Sequence, residues 1–195
     1  MTVYAELHAL SNFTFLRGAS HPEELVETAA ELNYDALAIT DECTVSGIVR
    51  AHVAGKKKTL KKLIIGSEFQ LDTGLKLVVL ARNHTGYKEL CALITCGRRA
   101  TKKGSYKLTA NDFRHGLLNC FVLWVPDNHL LLSSEDTWII DAFSRRLWIA
   151  VELHSDGHEK IRVEKLRHLS VKLKLPLVAS GDVHMHCRNR RFLQD

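Results

Sequence analysis

Residues 20–47 read SHPEELVETAAELNYDALAITDECTVSG, and this stretch decides the fold class. Its first half has helical spacing: Ser20 is placed as an N-cap, Pro22 and two glutamates fill the first turn, and Leu25, Val26, Ala29, Ala30 and Leu32 share one face. Its second half, Asp35–Thr40, is a short apolar run that ends beside Asp41, the pattern of a strand covered on both faces with a polar group at its carboxyl end. A helix followed by such a strand, repeated along a chain, predicts βα units around a parallel or mixed sheet.

The alternation continues in both directions. Strand runs are predicted at Val3–His8, Asp35–Thr40, Lys62–Phe69, Leu75–Arg82, Leu117–Val125, Leu147–Leu153 and Pro176–Ser180. A second clear helix lies around Ile161 to Leu173, where Ile161, Leu166, Leu169 and Leu173 recur between basic residues. Asp72-Thr73-Gly74 is a tight turn between the third and fourth runs, so that pair reads as a hairpin and the sheet is not uniformly parallel. No internal repeat or compositional boundary divides the chain, which reads as one domain with a basic loop at Ala100–Tyr106. The closing CRNRRFLQD has the pattern of a helix that is just beginning, so the chain reads as cut short there.

Composition sets outer bounds. The 195 residues are 46% apolar and 25% charged, with only 3 prolines and 11 glycines, which excludes disordered and collagen-like classes. A chain of this size can bury about 70% of its extended surface. No apolar run reaches the length of a membrane span and the first residues lack a signal-peptide pattern, so a cytoplasmic location is expected. Five cysteines without a C-x-x-C pair suit neither a disulfide framework nor a structural zinc site. The formal net charge of +5 is clustered in Lys56, Lys57, Lys58, Lys61 and Lys62 and in Arg98, Arg99, Lys102, Lys103 and Lys107. These groups read first as solvated turns, and they permit a polyanion partner.

Metal-capable side chains fall in one kind of place. His8 ends the first predicted strand, Asp41 follows the second, Glu68 is near the end of the third, Glu152 and His154 end the sixth, and Asp182 and His184 follow the seventh. In a βα barrel or doubly wound sheet the carboxyl ends of strands share a face, so residues remote in sequence would gather there. Carboxylates and imidazoles hold zinc, manganese or iron while leaving positions open for water and a phosphate oxygen. Metal-assisted hydrolysis is one reading; ordinary polar residues at strand-to-loop junctions are the other.

LHALSNFTFLRGASHPEELVETAAELNYDALAITDECTVSG at 7–47, IIGSEF at 64–69, LVVLARNHTGYKELCALIT at 77–95 and PLVASGDVHMHCRNRRFLQD at 176–195 carry a resemblance. In this order, over nearly the whole chain, they resemble the PHP (polymerase and histidinol phosphatase) domain at the N-terminus of bacterial C-family DNA polymerases, most of all the error-prone branch of the DNA polymerase III alpha subunit. The resemblance implies a distorted seven-stranded βα barrel, an α/β fold with a metal site at one mouth. It implies a PHP domain over 1–185 and, over 186–195, the start of a helix leading into a polymerase body.

The metal residues carry over in part. His8, Asp41, Glu68, Asp182 and His184 match ligand positions of the family. Leu10 stands in place of the second histidine of H-x-H, Glu42 in place of the histidine after Asp41, Arg17 where metal-binding relatives have an aspartate, and Lys76 where they have a histidine. No residue in Leu118–Trp124 clearly replaces the family's cysteine ligand, although Cys120 is near. The resemblance therefore implies a degenerate site, empty or holding a single divalent ion (zinc or manganese), with Arg17 and Lys76 paired to carboxylates. The expected function is that of the PHP domain of an error-prone DNA polymerase, structural in itself, with the polymerase body and, through the parent protein, DNA as partners. DNA synthesis, translesion replication and repair would belong to the parent nucleotidyltransferase, whose polymerase active site is not in these residues. The competing expectation is a metal-dependent phosphoesterase or 3′–5′ proofreading exonuclease. A free-standing nucleic-acid module is weaker, since the lysine-rich groups interleave no aromatic beyond Tyr106.

Overall fold

The computed structural model describes residues 4–58, 60–114, 117–155 and 157–194, and it divides into two compact units, Met1–Ser67 with Gly181–Asp195, and Glu68–Ser180.

In the first unit, β1 (Ala5–Ala9), α1 (Pro22–Glu31), β2 (Ala36–Ile39) and α2 (Ile48–Lys58) lead into β3 (Leu63–Gln70), which runs on into the second unit. β2 pairs in parallel with both β1 and β3, with Leu37 opposite Glu6 on one side and Leu63 on the other. The buried core is Ala9, Leu25, Val26, Ala29, Leu37, Ile39, Ile48, Ala51 and Ala54, so each helix lays one apolar face against the strands. On α1 the expected face is realised by Leu25, Val26 and Ala29, whereas Leu32 lies just past the last turn and is 58% exposed.

The N-cap of α1 is His21, one residue later than the sequence suggests. The His21 backbone N–H donates to Glu24 at 2.8 Å, half of a capping box. Ser20 is drawn elsewhere: its hydroxyl accepts the backbone N–H of His186 at 2.9 Å and lies 2.7 Å from the His186 ring. This bond belongs to the segment that returns after residue 180. There Val183 forms a parallel bridge with Ala9, Leu10 N–H donates to Val183 O at 2.8 Å, and Val183 N–H donates to His8 O at 2.9 Å. Buried Glu6 ties the return in place, accepting the backbone N–H groups of His8 at 2.9 Å and Gly181 at 2.8 Å. A Cβ at 181 would lie 2.3 Å from a Glu6 carboxylate oxygen, so any larger residue there requires the Glu6 side chain to shift.

The second unit opens with the end of β3 and a turn. Gly74 adopts φ +88, Gly74 N–H donates to Leu71 O and Leu71 N–H donates to Leu75 O, both at 2.9 Å, as the Asp72-Thr73-Gly74 reading requires. β4 (Lys76–Ala81) then runs antiparallel to β5 (Cys120–Val125), which is parallel to β6 (Leu147–Val151), itself parallel to β7 (Leu177–Ala179). α3 (His84–Arg99), capped by the Asn83 side chain on Gly86 N–H, α4 (Ala110–Arg114), α5 (Trp138–Ala142) and α6 (Glu159–Leu173) connect these strands. Phe69, Phe113, Trp138 and Phe143 form a chain of ring contacts with centroids 5.8–6.2 Å apart. On α6 only Leu166 of the four expected apolar positions is buried, and Ile161 is 58% exposed. The 188–193 stretch forms a 3₁₀ turn.

Candidate metal site

His8 lies one residue before the end of β1 with no exposed surface, held there because its neighbours Ala9 and Leu10 are also core residues. Its Nδ1 is 3.7 Å from Oδ1 of Asp182, beyond hydrogen-bonding distance. Asp182 adopts φ +47, a left-handed conformation that aspartate tolerates better than most residues, directly after the Gly181 anchor. The same Asp182 oxygen is 3.0 Å from Nε2 of His184. Nδ1 of His184 is 2.8 Å from the Gln194 amide nitrogen, which donates to it. A ring that accepts at Nδ1 carries its proton on Nε2, so His184 donates to Asp182. The first unit thus sets an aspartate between two imidazoles.

Asp41, two residues after the end of β2, is bound differently. Its carboxylate accepts the Ser11 N–H, the Ser11 hydroxyl and the Thr14 hydroxyl, each at 2.7 Å. Burial pushes its pKa above the ordinary aspartate value, and the bonds from Ser11 and Thr14 only partly oppose that. Arg17 Nη1 donates to Glu42 at 3.1 Å, and the Glu42 backbone N–H rests on the Thr14 hydroxyl at 3.0 Å. Leu10, the position matched in sequence to a family histidine, is fully buried and apolar.

In the second unit Glu68 is 1% exposed, and Lys76 Nζ at the start of β4 lies 3.6 Å from its Oε2. Buried Glu152 accepts the Ser180 hydroxyl at 3.1 Å, while His154 is exposed. Cys120 is buried with its Sγ 3.4 Å from Gly86 O and 3.8 Å from Glu89. Burial and the nearby Glu89 carboxylate push this thiol up to about 12, so it stays protonated at neutral pH and is a poor metal ligand.

Of the residues expected from the sequence, His8, Asp182 and His184 come together in the first unit. Asp41 is engaged by the 11–14 turn, and Glu68 belongs to the second unit with its lysine. Ser11, Thr14 and Gln194 were not foreseen. Ser11-x-x-Thr14 carried a signal, since the Ser11 hydroxyl also closes a turn on Phe13 N–H at 3.2 Å. Nothing local marks Gln194, whose role depends on the chain's return past β1.

Against known proteins, the family model described as "PHP domain" matches residues 6–123. The chain is 52% identical over 99% of its length to the error-prone DNA polymerase of Methylococcus capsulatus, and 49% identical over its full length to that of Pseudomonas aeruginosa. It spans about one fifth of these relatives, covering 18% and 19% of them. Two solved structures match 94% of this chain at a TM-score of 0.66 and 14% identity, each over 88% of its own length. One is a Bifidobacterium adolescentis protein assigned as a metal-dependent phosphoesterase, the other a Chromobacterium violaceum amidohydrolase with bound sulfate and no metal. At this identity they carry the fold alone, and it is of the α/β class expected from the sequence.

Proposed function

The chain belongs to the PHP domain family, and on that premise we propose that it serves as the PHP domain of an error-prone DNA polymerase, with ion pairs standing where relatives place metal ions. In this reading residues 1–185 form the domain and 186–195 lead toward a polymerase body. The parent protein performs DNA synthesis in translesion replication and repair in the cytoplasm. No helix among the described residues is long and apolar enough to cross a membrane.

The observation that carries the proposal is the pairing of candidate ligand carboxylates with cations. Lys76 sits 3.6 Å from buried Glu68, and Arg17 bonds Glu42 at 3.1 Å. A cation beside a carboxylate supplies the charge a divalent ion would supply, and it repels such an ion at short range. His8, Asp182 and His184 are ligand types that zinc or manganese takes, and an ion held by them would bring Lewis acidity to a bound water or phosphate oxygen. His184 would first have to give up its hydrogen bond to Asp182, and Asp41 its three donors. The gathering of two imidazoles on Asp182 is what favours the second reading, a metal-dependent phosphoesterase or 3′–5′ exonuclease.

Elemental analysis of protein purified without chelator separates the two readings. It is read alongside manganese- and zinc-supplemented assays on a chromogenic phosphodiester and on single-stranded DNA. We expect at most one ion per chain and no hydrolysis beyond that of His8→Ala/Asp182→Ala. Two or more ions, or hydrolysis lost in that variant, would replace the structural reading with the nuclease.

A further inference from the structure

The end of α3 and the loop after it gather Arg98, Arg99, Lys102, Lys103 and Lys107 in ten residues of the second unit. Two of these cations have a helix-related role, because Arg98 and Arg99 lie in the last turn where positive charge complements the macrodipole. That account does not reach Lys102, Lys103 and Lys107, which lie beyond the Ala100 C-cap and are exposed. Arg99, Lys102, Lys103 and Lys107 take part in none of the ion pairs among the described residues. In the other basic group Lys58 pairs with Glu27 at 3.6 Å and Lys61 with Asp35, while Lys56, Lys57 and Lys62 take part in none of the ion pairs among the described residues. Asp112, the nearest acid in sequence, is turned onto Thr109, whose N–H and hydroxyl it accepts at 2.7 and 2.9 Å, and onto Cys96.

The loop has a fixed shape. Lys107 N–H returns to Gly97 O at 3.1 Å, Ser105 N–H donates to Lys102 O at 3.3 Å, and Gly104 takes φ +99 at the tip. The Arg98 guanidinium covers the Tyr106 ring at 5.4 Å, and the Tyr106 hydroxyl accepts Gln70 N–H at 2.9 Å. The one aromatic ring of the loop is therefore held in place, with a guanidinium over one face and its hydroxyl bonded to the backbone.

We propose that the 98–107 loop is a binding site for the phosphodiester backbone of nucleic acid, one that reads charge and no bases. Cations without an acidic partner on a braced loop supply the sequence-independent attraction for phosphates, and contacts to phosphate carry no base information. An anionic membrane is disfavoured because, among the described residues, no large apolar side chain between Val53 and Leu118 is exposed to insert beside the charges. The inference does not rest on the polymerase reading, since it concerns the second unit's own surface.

The test is fluorescence anisotropy with the full 195-residue chain and labelled 30-mers: mixed single strand, oligo(dT), oligo(dA) and duplex, titrated between 50 and 200 mM salt. If Arg99, Lys102, Lys103 and Lys107 each neutralise one phosphate, log K falls with log[salt] at a slope of about −2.8 for single strands and about −3.6 for duplex. Lys102→Gln/Lys103→Gln should flatten the single-strand slope by about 1.4 and weaken binding about 25-fold at 0.1 M salt. Lys58→Gln/Lys61→Gln, with the same change in net charge at lysines already paired with Glu27 and Asp35, should leave both nearly unchanged, and oligo(dT) and oligo(dA) should bind alike. Equal losses in the two double variants would reduce the effect to net charge and overturn the proposal. So would undiminished binding in the loop variant, a strong preference for one base, or loop-dependent binding to phosphatidylserine vesicles without binding to DNA.

Discussion

Lys76→Met is the sharpest probe of the ion pair on Glu68. Methionine keeps the apolar stem and deletes the ammonium, leaving a carboxylate that is 1% exposed without its lysine. At 3.6 Å and an effective dielectric of about 20, the bare attraction is about 5 kcal/mol. Two corrections shrink it. The lysine side chain is 29% exposed, so water screens the pair, and the ammonium gave up part of its own hydration to be there. Fully exposed pairs contribute about 0.2–1 kcal/mol, whereas breaking a fully buried one costs about 3–5. A pair with one buried and one partly exposed member should lie between, at about 2 kcal/mol. For a chain of this size that lowers Tm by about 4–8 °C. The assay is urea and thermal unfolding at pH 7 of the wild type, Lys76→Met, Glu68→Gln and the double variant. With glutamine at 68 there is no charge to compensate, so Lys76→Met should then cost little, giving a coupling above about 1 kcal/mol. The same cost in both backgrounds would show that Lys76 acts through packing, and the idea that it replaces a metal ion would fail.

Three further outcomes are expected. Restoring family ligands through Leu10→His, Arg17→Asp and Lys76→His should raise the zinc or manganese content of purified protein by at least one ion per chain over the wild type. An unchanged content would mean that other positions block the site. Asp41 has a pKa raised mainly by burial, so its protonated form favours the fold at low pH, and that contribution is lost as pH rises through the raised value. The stability of Asp41→Asn relative to wild type should therefore improve between pH 4 and pH 7, and a flat difference in urea midpoints would contradict the burial argument. Gly181→Ala would place a Cβ 2.3 Å from the Glu6 carboxylate and should cost about 1–3 kcal/mol; an unchanged Tm would show that Glu6 does not pin the returning segment.

What the sequence revealed, and what it hid, follows from the range of the forces involved. The strands were legible because continuous apolar runs such as Leu77–Leu80 are buried wherever they go; β4 spans Lys76–Ala81 inside the expected Leu75–Arg82. α6 was legible as a helix yet not as a packed one, since spacing says that Ile161, Leu166, Leu169 and Leu173 share a face but not what covers it. The N-cap of α1 was misplaced for a related reason. Ser20 has the right chemistry to cap, but its hydroxyl is engaged by His186, 166 residues away, and His21 takes the cap. The His8, Asp182 and His184 grouping could be anticipated because strand ends converge by topology, whereas the Gln194 bond that fixes the His184 tautomer could not.

On the reading proposed above, the partners of the candidate carboxylates make physical sense as a set. Carboxylates held near one another around divalent ions repel once the ions are gone, and buried ones must find donors or cations or give up their charge. Each candidate carboxylate has a distinct answer. Asp41 takes three donors from the 11–14 turn, Glu42 takes Arg17, Glu68 takes Lys76, and Asp182 takes His184. Leu10 goes further and removes a polar group from a position with no exposed surface. Had the ligands been lost by drift alone, neutral residues would serve at 17 and 76 as well as cations do. Cations standing against acids at both positions are what compensation requires, and the Glu68–Lys76 cycle measures one of them directly. Coupling there would mean that the charge Glu68 requires is supplied by the chain itself.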